Sequence, residues 1–157
     1  MHLTIITNSV KVLLEAAKLE NPNLSLICLA GFYNGNNYSL YGTRTIKSSE
    51  EFYPDKTFIS CTGVTLNKRL TDISLNEIDT KKAMMDKSEE TYLLVDHTKF
   101  EVAGPFFLGN FNEIDCIVTD NFNYTPEVPK LSGPLQKNMG SGSSLRKGGC
   151  TIEYFSF

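Results

Sequence analysis

Six short apolar runs that end abruptly in polar residues limit the folds open to this chain more than any other feature. They are Leu3-Thr4-Ile5-Ile6 and residues 24–30, 57–61, 92–95, 114–119 and 151–155. Each is continuous rather than alternating, which is the pattern of strands covered on both faces. Helical signals separate most of them. Ser9 is placed to cap an amphipathic stretch over residues 10–18, and residues 44–52 read as a weaker helix. Ser74-Leu75-Asn76-Glu77 is a capping-box pattern that opens the strongest helix, residues 75–88, with Leu75, Ile78 and Met85 on one face. Strands alternating with helices predict an α/β fold: a mostly parallel twisted sheet with helices on both faces and residues 92–95 near its middle. At 157 residues the chain is long enough for one domain with a substantial core.

In an open parallel sheet, ligands bind in the crevice at the carboxyl ends of the strands. Four segments fall at such ends: Thr7-Asn8-Ser9, Gly31, Gly63 and Asp96-His97-Thr98-Lys99. Lys99 offers a point charge to an anion, and Asp96 an acceptor to hydroxyl groups. The plainer alternatives are a surface lysine paired with Asp96 or Glu101, and an aspartate that caps a turn. Glu77 is equally divided between completing the capping box and meeting a ligand. Thr7-Asn8-Ser9 reads both as a helix start and as a place where anions gather. Residues 31–37, with three asparagines, read as a solvated loop. His97 has no partner at metal-ligand spacing, so neither metal nor catalytic work is assigned to it.

Composition removes several classes. A net charge of −3 gives this chain no bulk attraction for nucleic acid. No run approaches the ~20 apolar residues of a membrane span, and no basic region precedes an apolar stretch at the N-terminus. Cys28, Cys61, Cys116 and Cys150 lack zinc-finger spacing and read as free buried thiols of a reducing, cytoplasmic compartment. Residues 121–144 hold three of the six prolines and the tract Gly-Ser-Gly-Ser-Ser, an irregular excursion before a helix stop at residues 145–149.

The order of the segments LTIITNSV, LICLAG, YGTR, DKTFISCTGVT, LTDISLNEIDTKKAMM and YLLVDHTKFEVAGPFFLGNFNEIDCIVTD resembles the C-terminal effector-sensing domain of DeoR-type bacterial transcription regulators. In that family one strand ends in Thr-Asn-Ser, another in Asp-Ser-Ser-Lys and a third in Ile-Thr-Asp. Here the last two stand as Asp96-His97-Thr98-Lys99 and Val118-Thr119-Asp120. The resemblance covers residues 3–120. It implies the fold of ribose-5-phosphate isomerase and the coenzyme A transferases. It also implies a non-catalytic domain that binds a phosphorylated sugar and signals to a DNA-binding helix-turn-helix, with no cofactor and no metal. Carried onto this sequence, it places Thr7, Asn8, Ser9, Gly31, Gly63, Glu77, Asp96 and Lys99 toward the ligand. Three departures stand out. The family's first strand and phosphate-cradling loop are missing, as is the helix-turn-helix; both point to a truncated product or a fragment. The third departure is at two family glycines: Ala30-Gly31 replaces a glycine pair, and Arg69 a glycine before Leu-Thr. An unpaired sheet edge left by a missing strand predicts a homo-oligomer.

Two other readings remain open. An aldose–ketose isomerase needs a base and an acid around adjacent carbons, which Glu77, Asp96 and Lys99 could furnish. The related isomerases, however, carry a Gly-Ala-Asp-Glu segment and a Lys-Gly-Gly turn, where this chain has only Asp55 before Lys56. A degenerate scaffold that binds nothing is the remaining reading.

Overall fold

The computed structural model describes residues 2–65, 67, 69–120, 139–140, 142–147 and 150–154, the last three segments as backbone strands. The chain divides into two compact units, Met1–Tyr53 and Pro54–Phe157.

The first unit opens with β1 (Leu3–Thr7), α1 (Val10–Ala17) and β2 (Leu24–Cys28). The two strands pair in parallel from Leu3 opposite Leu24 to Thr7 opposite Cys28, as a strand–helix–strand crossover requires. Ser9 caps α1 as expected, its Oγ accepting the Val12 N–H at 3.3 Å. The stretch anticipated as a solvated loop is instead a hairpin, β3 (Phe32–Asn34) against β4 (Ser39–Tyr41). Its asparagines make the solvated turn between the two strands. Asn34 Oδ1 accepts the Asn36 N–H at 3.1 Å, and Asn37 Oδ1 accepts the Ser39 N–H at 3.2 Å. The short helix α2 (Thr43–Ser49) closes the unit.

The second unit runs β5 (Lys56–Ile59), β6 (Gly63–Val64), β7 (Arg69–Asp72), α3 (Leu75–Met85), β8 (Glu90–Leu94), β9 (Phe106–Asn110), β10 (Cys116–Thr119), β11 (Met139–Gly140), β12 (Gly142–Lys147) and β13 (Cys150–Tyr154). Its main sheet has the order β11-β12-β13-β10-β8-β5. The four strands from β13 to β5 are parallel, whereas β12 is antiparallel to β13 and β11 to β12. A second sheet, β6-β7-β9, is antiparallel throughout.

The mixed α/β class and the parallel pairings match the sequence reading; several details differ. β8 lies second from one edge rather than in the middle. Residues 142–147, read as part of an irregular tract and a helix stop, form β12. Residues 121–138, the rest of that tract, lie outside the described residues, as does the side chain of Cys150. β5 and β8 were expected to be covered on both faces, yet their residues alternate. Thr57, Ile59, Thr91 and Leu93 are buried, while Phe58 and Leu94 are 56% and 42% exposed. The buried face joins Ile59, Leu93, Val95 and Ile117 to Leu70, Ile78 and Leu108 in one core cluster. α3 packs against β5, β7 and β9, so in this unit the helix and the small sheet share one face. α3 ends at Met85, and Leu75 is 55% exposed, because the helix turns Ile78 and Thr80 inward instead. Cys61 is free and buried as anticipated, and Cys116 is buried; Cys28 is free but exposed.

Candidate functional site

Each unit contributes some of the residues named from sequence. In the first unit, Thr7, Asn8 and Ser9 follow the end of β1, and each side chain already serves the local fold. Thr7 Oγ1 accepts the Ser9 N–H at 3.0 Å, Asn8 donates its side-chain amide to the Leu40 carbonyl at 3.0 Å, and Ser9 caps α1. Gly31 follows β2. A Cβ there would lie 2.0 Å from Thr45 Oγ1 and 2.7 Å from the Tyr41 carbonyl oxygen, so glycine is required by close packing. Thr45 is fully buried, and its hydroxyl has no hydrogen-bond partner.

In the second unit, Gly63 is likewise a packing glycine. A Cβ would meet the Val102 carbonyl oxygen at 2.3 Å, where β6 runs under the loop that follows Lys99. Ser74 Oγ accepts the Glu77 N–H at 3.5 Å, the first half of the capping pattern. The half-buried Glu77 side chain lies one turn before Lys81 on the same side of α3.

Beyond β8, Asp96 begins a single 3-10 turn, His97–Lys99. Asp96 Oδ1 accepts both the Thr98 N–H, at 2.8 Å, and the Thr98 hydroxyl. These bonds, helped by the Lys99 charge, hold its carboxyl below the ordinary aspartate range. The Lys99 ammonium makes no ion pair or hydrogen bond with any described side chain. His97, expected to stand alone, pairs with Asp120 past the end of β10. Its N–H donates to Asp120 Oδ1 at 2.7 Å, and its Nδ1 lies 2.8 Å from Asp120 Oδ2. Bonding to His97 keeps the Asp120 carboxyl low as well.

These two depressed carboxyls predict a measurable pattern. In carboxyl-carbon NMR, Asp96 and Asp120 titrate below the ordinary aspartate range. His97→Ala raises the Asp120 midpoint and leaves that of Asp96 in place. Their contribution to stability is therefore complete above the ordinary aspartate pKa and is lost as pH falls through the native values.

Sequence reasoning missed a further cluster beside this turn. Asp72, at the end of β7, is 6% exposed, and Lys81 on α3 is 17% exposed; Lys81 Nζ lies 2.6 Å from Asp72 Oδ2. Asp72 Oδ1 also accepts the Thr62 hydroxyl at 2.9 Å and the Ile73 N–H at 2.8 Å. The Cys61 thiol, just past β5, is pushed up to about 11, mainly by burial, while Lys81 and Lys99 both pull it back and Asp72 opposes them. Asp72, Lys81 and Thr62 thus gather just past the carboxyl end of β5, and the chain leaving the Asp96 turn passes alongside, Phe100 bridging Val64. The sequence signal for Asp72 was its place at a strand end two residues before a helix cap; the antiparallel β7 that carries it was not recognised. Among the described residues no group of three or more His, Cys, Asp or Glu is placed to hold a metal. No helix among them is long and apolar enough to cross a membrane.

Among the described residues, the strand ends of the second unit thus carry one lysine without an ion-pair partner, Lys99, and one held against a buried carboxylate, Lys81. The chain belongs to the family described as the DeoR C terminal sensor domain, whose model matches residues 1–121. It is 36% identical over 123 residues to the HTH-type transcriptional regulator IolR of Bacillus subtilis, covering 75% of this chain and 46% of that protein. It is 30% identical over 120 residues to the HTH-type transcriptional regulator GolR of Listeria innocua, covering 76% and 46%. Identity to the deoxyribose operon repressor of Escherichia coli is 28% over 101 residues, 64% of this chain and 40% of the repressor. The chain therefore spans about half the length of the curated relatives it matches.

Proposed function

We propose that this chain is the effector-sensing part of a DeoR-type transcription regulator, that it binds a phosphorylated sugar, and that binding modulates an attached DNA-binding helix-turn-helix. Family membership supports the regulatory role, and one relative is named for a deoxyribose operon, which supports a sugar effector. The observation that carries the ligand class is the Lys99 ammonium in the turn beyond β8, which has no ion-pair partner among the described residues, with Asp96 beside it. Phosphate supplies the anion and sugar hydroxyls the donors for these two groups. Within the second unit, Gly63 and Glu77 are proposed to flank this turn, Gly63 chiefly by holding the backbone; Thr7, Asn8, Ser9 and Gly31 are proposed as the ligand-facing strand end of the first unit. The fold kinship is proposed to be with ribose-5-phosphate isomerase and the coenzyme A transferases, and the compartment the cytoplasm.

Calorimetric titration with pentose and hexose phosphates, each against its free sugar, tests the reading. Binding of a phosphate ester without binding of the parent sugar is the expected result; silence toward every ester overturns it. No isomerase activity is expected: ribose 5-phosphate gives no ketose above background, and a turnover abolished by Glu77→Gln would instead establish an enzyme. Self-association is also expected, since β1 and β2 form a two-stranded sheet whose outer edges carry no described partner strand. Sedimentation equilibrium checks this, and a monomer mass at high concentration counts against it.

A further inference from the structure

A buried ion pair is weak support for a fold, because the desolvation of both charges offsets their attraction. The Asp72–Lys81 pair is largely buried, yet its two halves are unequally satisfied. Asp72 accepts from Lys81, Thr62 and Ile73, so both its oxygens are engaged. Lys81 has three N–H donors, and among the described residues Asp72 is the one acceptor they meet. Among the described residues, two donors of this ammonium thus remain without an acceptor.

The position of that ammonium is set from several directions. Ser74 caps α3 and fixes its start two residues beyond Asp72. Asp72 is pinned in turn by the Thr62 hydroxyl and the Ile73 amide. Gly104 brings its backbone so close to that of Asp72 that a Cβ would lie 2.8 Å from the Asp72 carbonyl oxygen. The backbone that carries the carboxylate is thus closely packed. The residue after Lys99, Phe100, bridges Val64, and the charges of both lysines act on the Cys61 thiol.

We propose that Lys81 is the second cationic contact for the anionic group of the ligand, and that Asp72 is a positioning residue that holds its ammonium toward the carboxyl end of β5. This rests on the reading of the chain as a phosphorylated-sugar sensor. It adds a basis for preferring a phosphate ester over a sugar acid. Lys99 alone satisfies a carboxylate, whereas a phosphate presents three oxygens and about two charges, enough for two ammonium groups.

The experiment compares the wild type with Lys99→Ala and with the double substitution Asp72→Asn, Lys81→Met. The double change removes both charges together, so no unpaired carboxylate is left buried, and circular dichroism confirms its fold. Each protein is titrated calorimetrically with a panel of pentose and hexose phosphates, with the matching sugar acids, and with inorganic phosphate. For the ester that binds the wild type, the double variant is expected to bind about 10–100-fold more weakly, the size of a lost charge-assisted hydrogen bond. Its preference for that ester over the sugar acid falls by a similar factor. A second measurement needs no variant: in the wild type, the bound ester slows acylation of Lys81, read by mass spectrometry, relative to its exposed neighbour Lys82. Ester binding that is lost in Lys99→Ala but unchanged in the double variant, with Lys81 acylated at the same rate, overturns this inference and leaves the sensor reading intact. A wild type that binds no ester overturns both.

Discussion

A phosphorylated sugar present at about 100 times its dissociation constant is expected to raise the melting temperature of this chain by roughly 5–10 °C, and the free sugar to leave it unchanged. The size follows from linkage: such a concentration adds about 2.7 kcal/mol to the folded state. The selectivity follows from Lys99, whose ammonium has no ion-pair or hydrogen-bond partner among the described side chains, so no internal contact is given up on binding. Lys99→Ala removes most of the ligand-induced shift. The unliganded melting temperature changes little, since a lysine without such a partner contributes little to folding. Asp96→Asn behaves differently. Its carboxylate organises the 3-10 turn through Thr98, so the substitution weakens binding while phosphate remains preferred. Differential scanning fluorimetry with a panel of esters reads all three outcomes. A shift below about 1 °C with every ester is the result against the sensor reading.

The second large effect separates two adjacent leucines. Leu93→Ala destabilises the second unit by about 2–5 kcal/mol, and Leu94→Ser by no more than about 0.5 kcal/mol. Leu93 is fully buried and packs with Ile59, Val95 and Ile117. Removing its side chain forfeits the transfer term and leaves a cavity between two sheets that cannot collapse onto it. Leu94 points to the other face, where it is 42% exposed. Urea unfolding checks both variants. Equal losses would mean that β8 is covered on both sides after all.

That contrast marks where the sequence is informative and where it misleads. Tyr92-Leu93-Leu94-Val95 looks like a strand buried on both faces because all four residues are apolar, yet hydropathy cannot distinguish a covered side chain from an exposed one in the same run. Helix starts were legible because capping is local chemistry: Ser9 and Ser74 each bond an N–H three residues on. β7 and β9 escaped notice because polar and glycine residues interrupt them, and their pairing joins Arg69–Asp72 to a segment more than 30 residues away. The site divides in the same way. Asp96 and Lys99 stood out because they follow an apolar run. Asp72 and Lys81 did not, because the contact between them depends on how a strand and a helix meet at a turn. Thr7, Asn8 and Ser9 were read as ligand-facing or capping; in the structure their side chains serve the local backbone.

The bond between His97 and Asp120 bears on how a binding event could be felt elsewhere. The Val95 N–H donates to the Val118 carbonyl at 3.0 Å, and two residues later the His97 backbone and imidazole both engage the Asp120 carboxylate. The turn carrying Asp96 and Lys99 is therefore riveted to the tip of β10, and β10 in turn is zipped to β13 along four registered pairs. A loop hinged only at its own ends would close over a ligand and leave the sheet undisturbed. This one is tied sideways as well, so a displacement of Lys99 loads β10 together with β8.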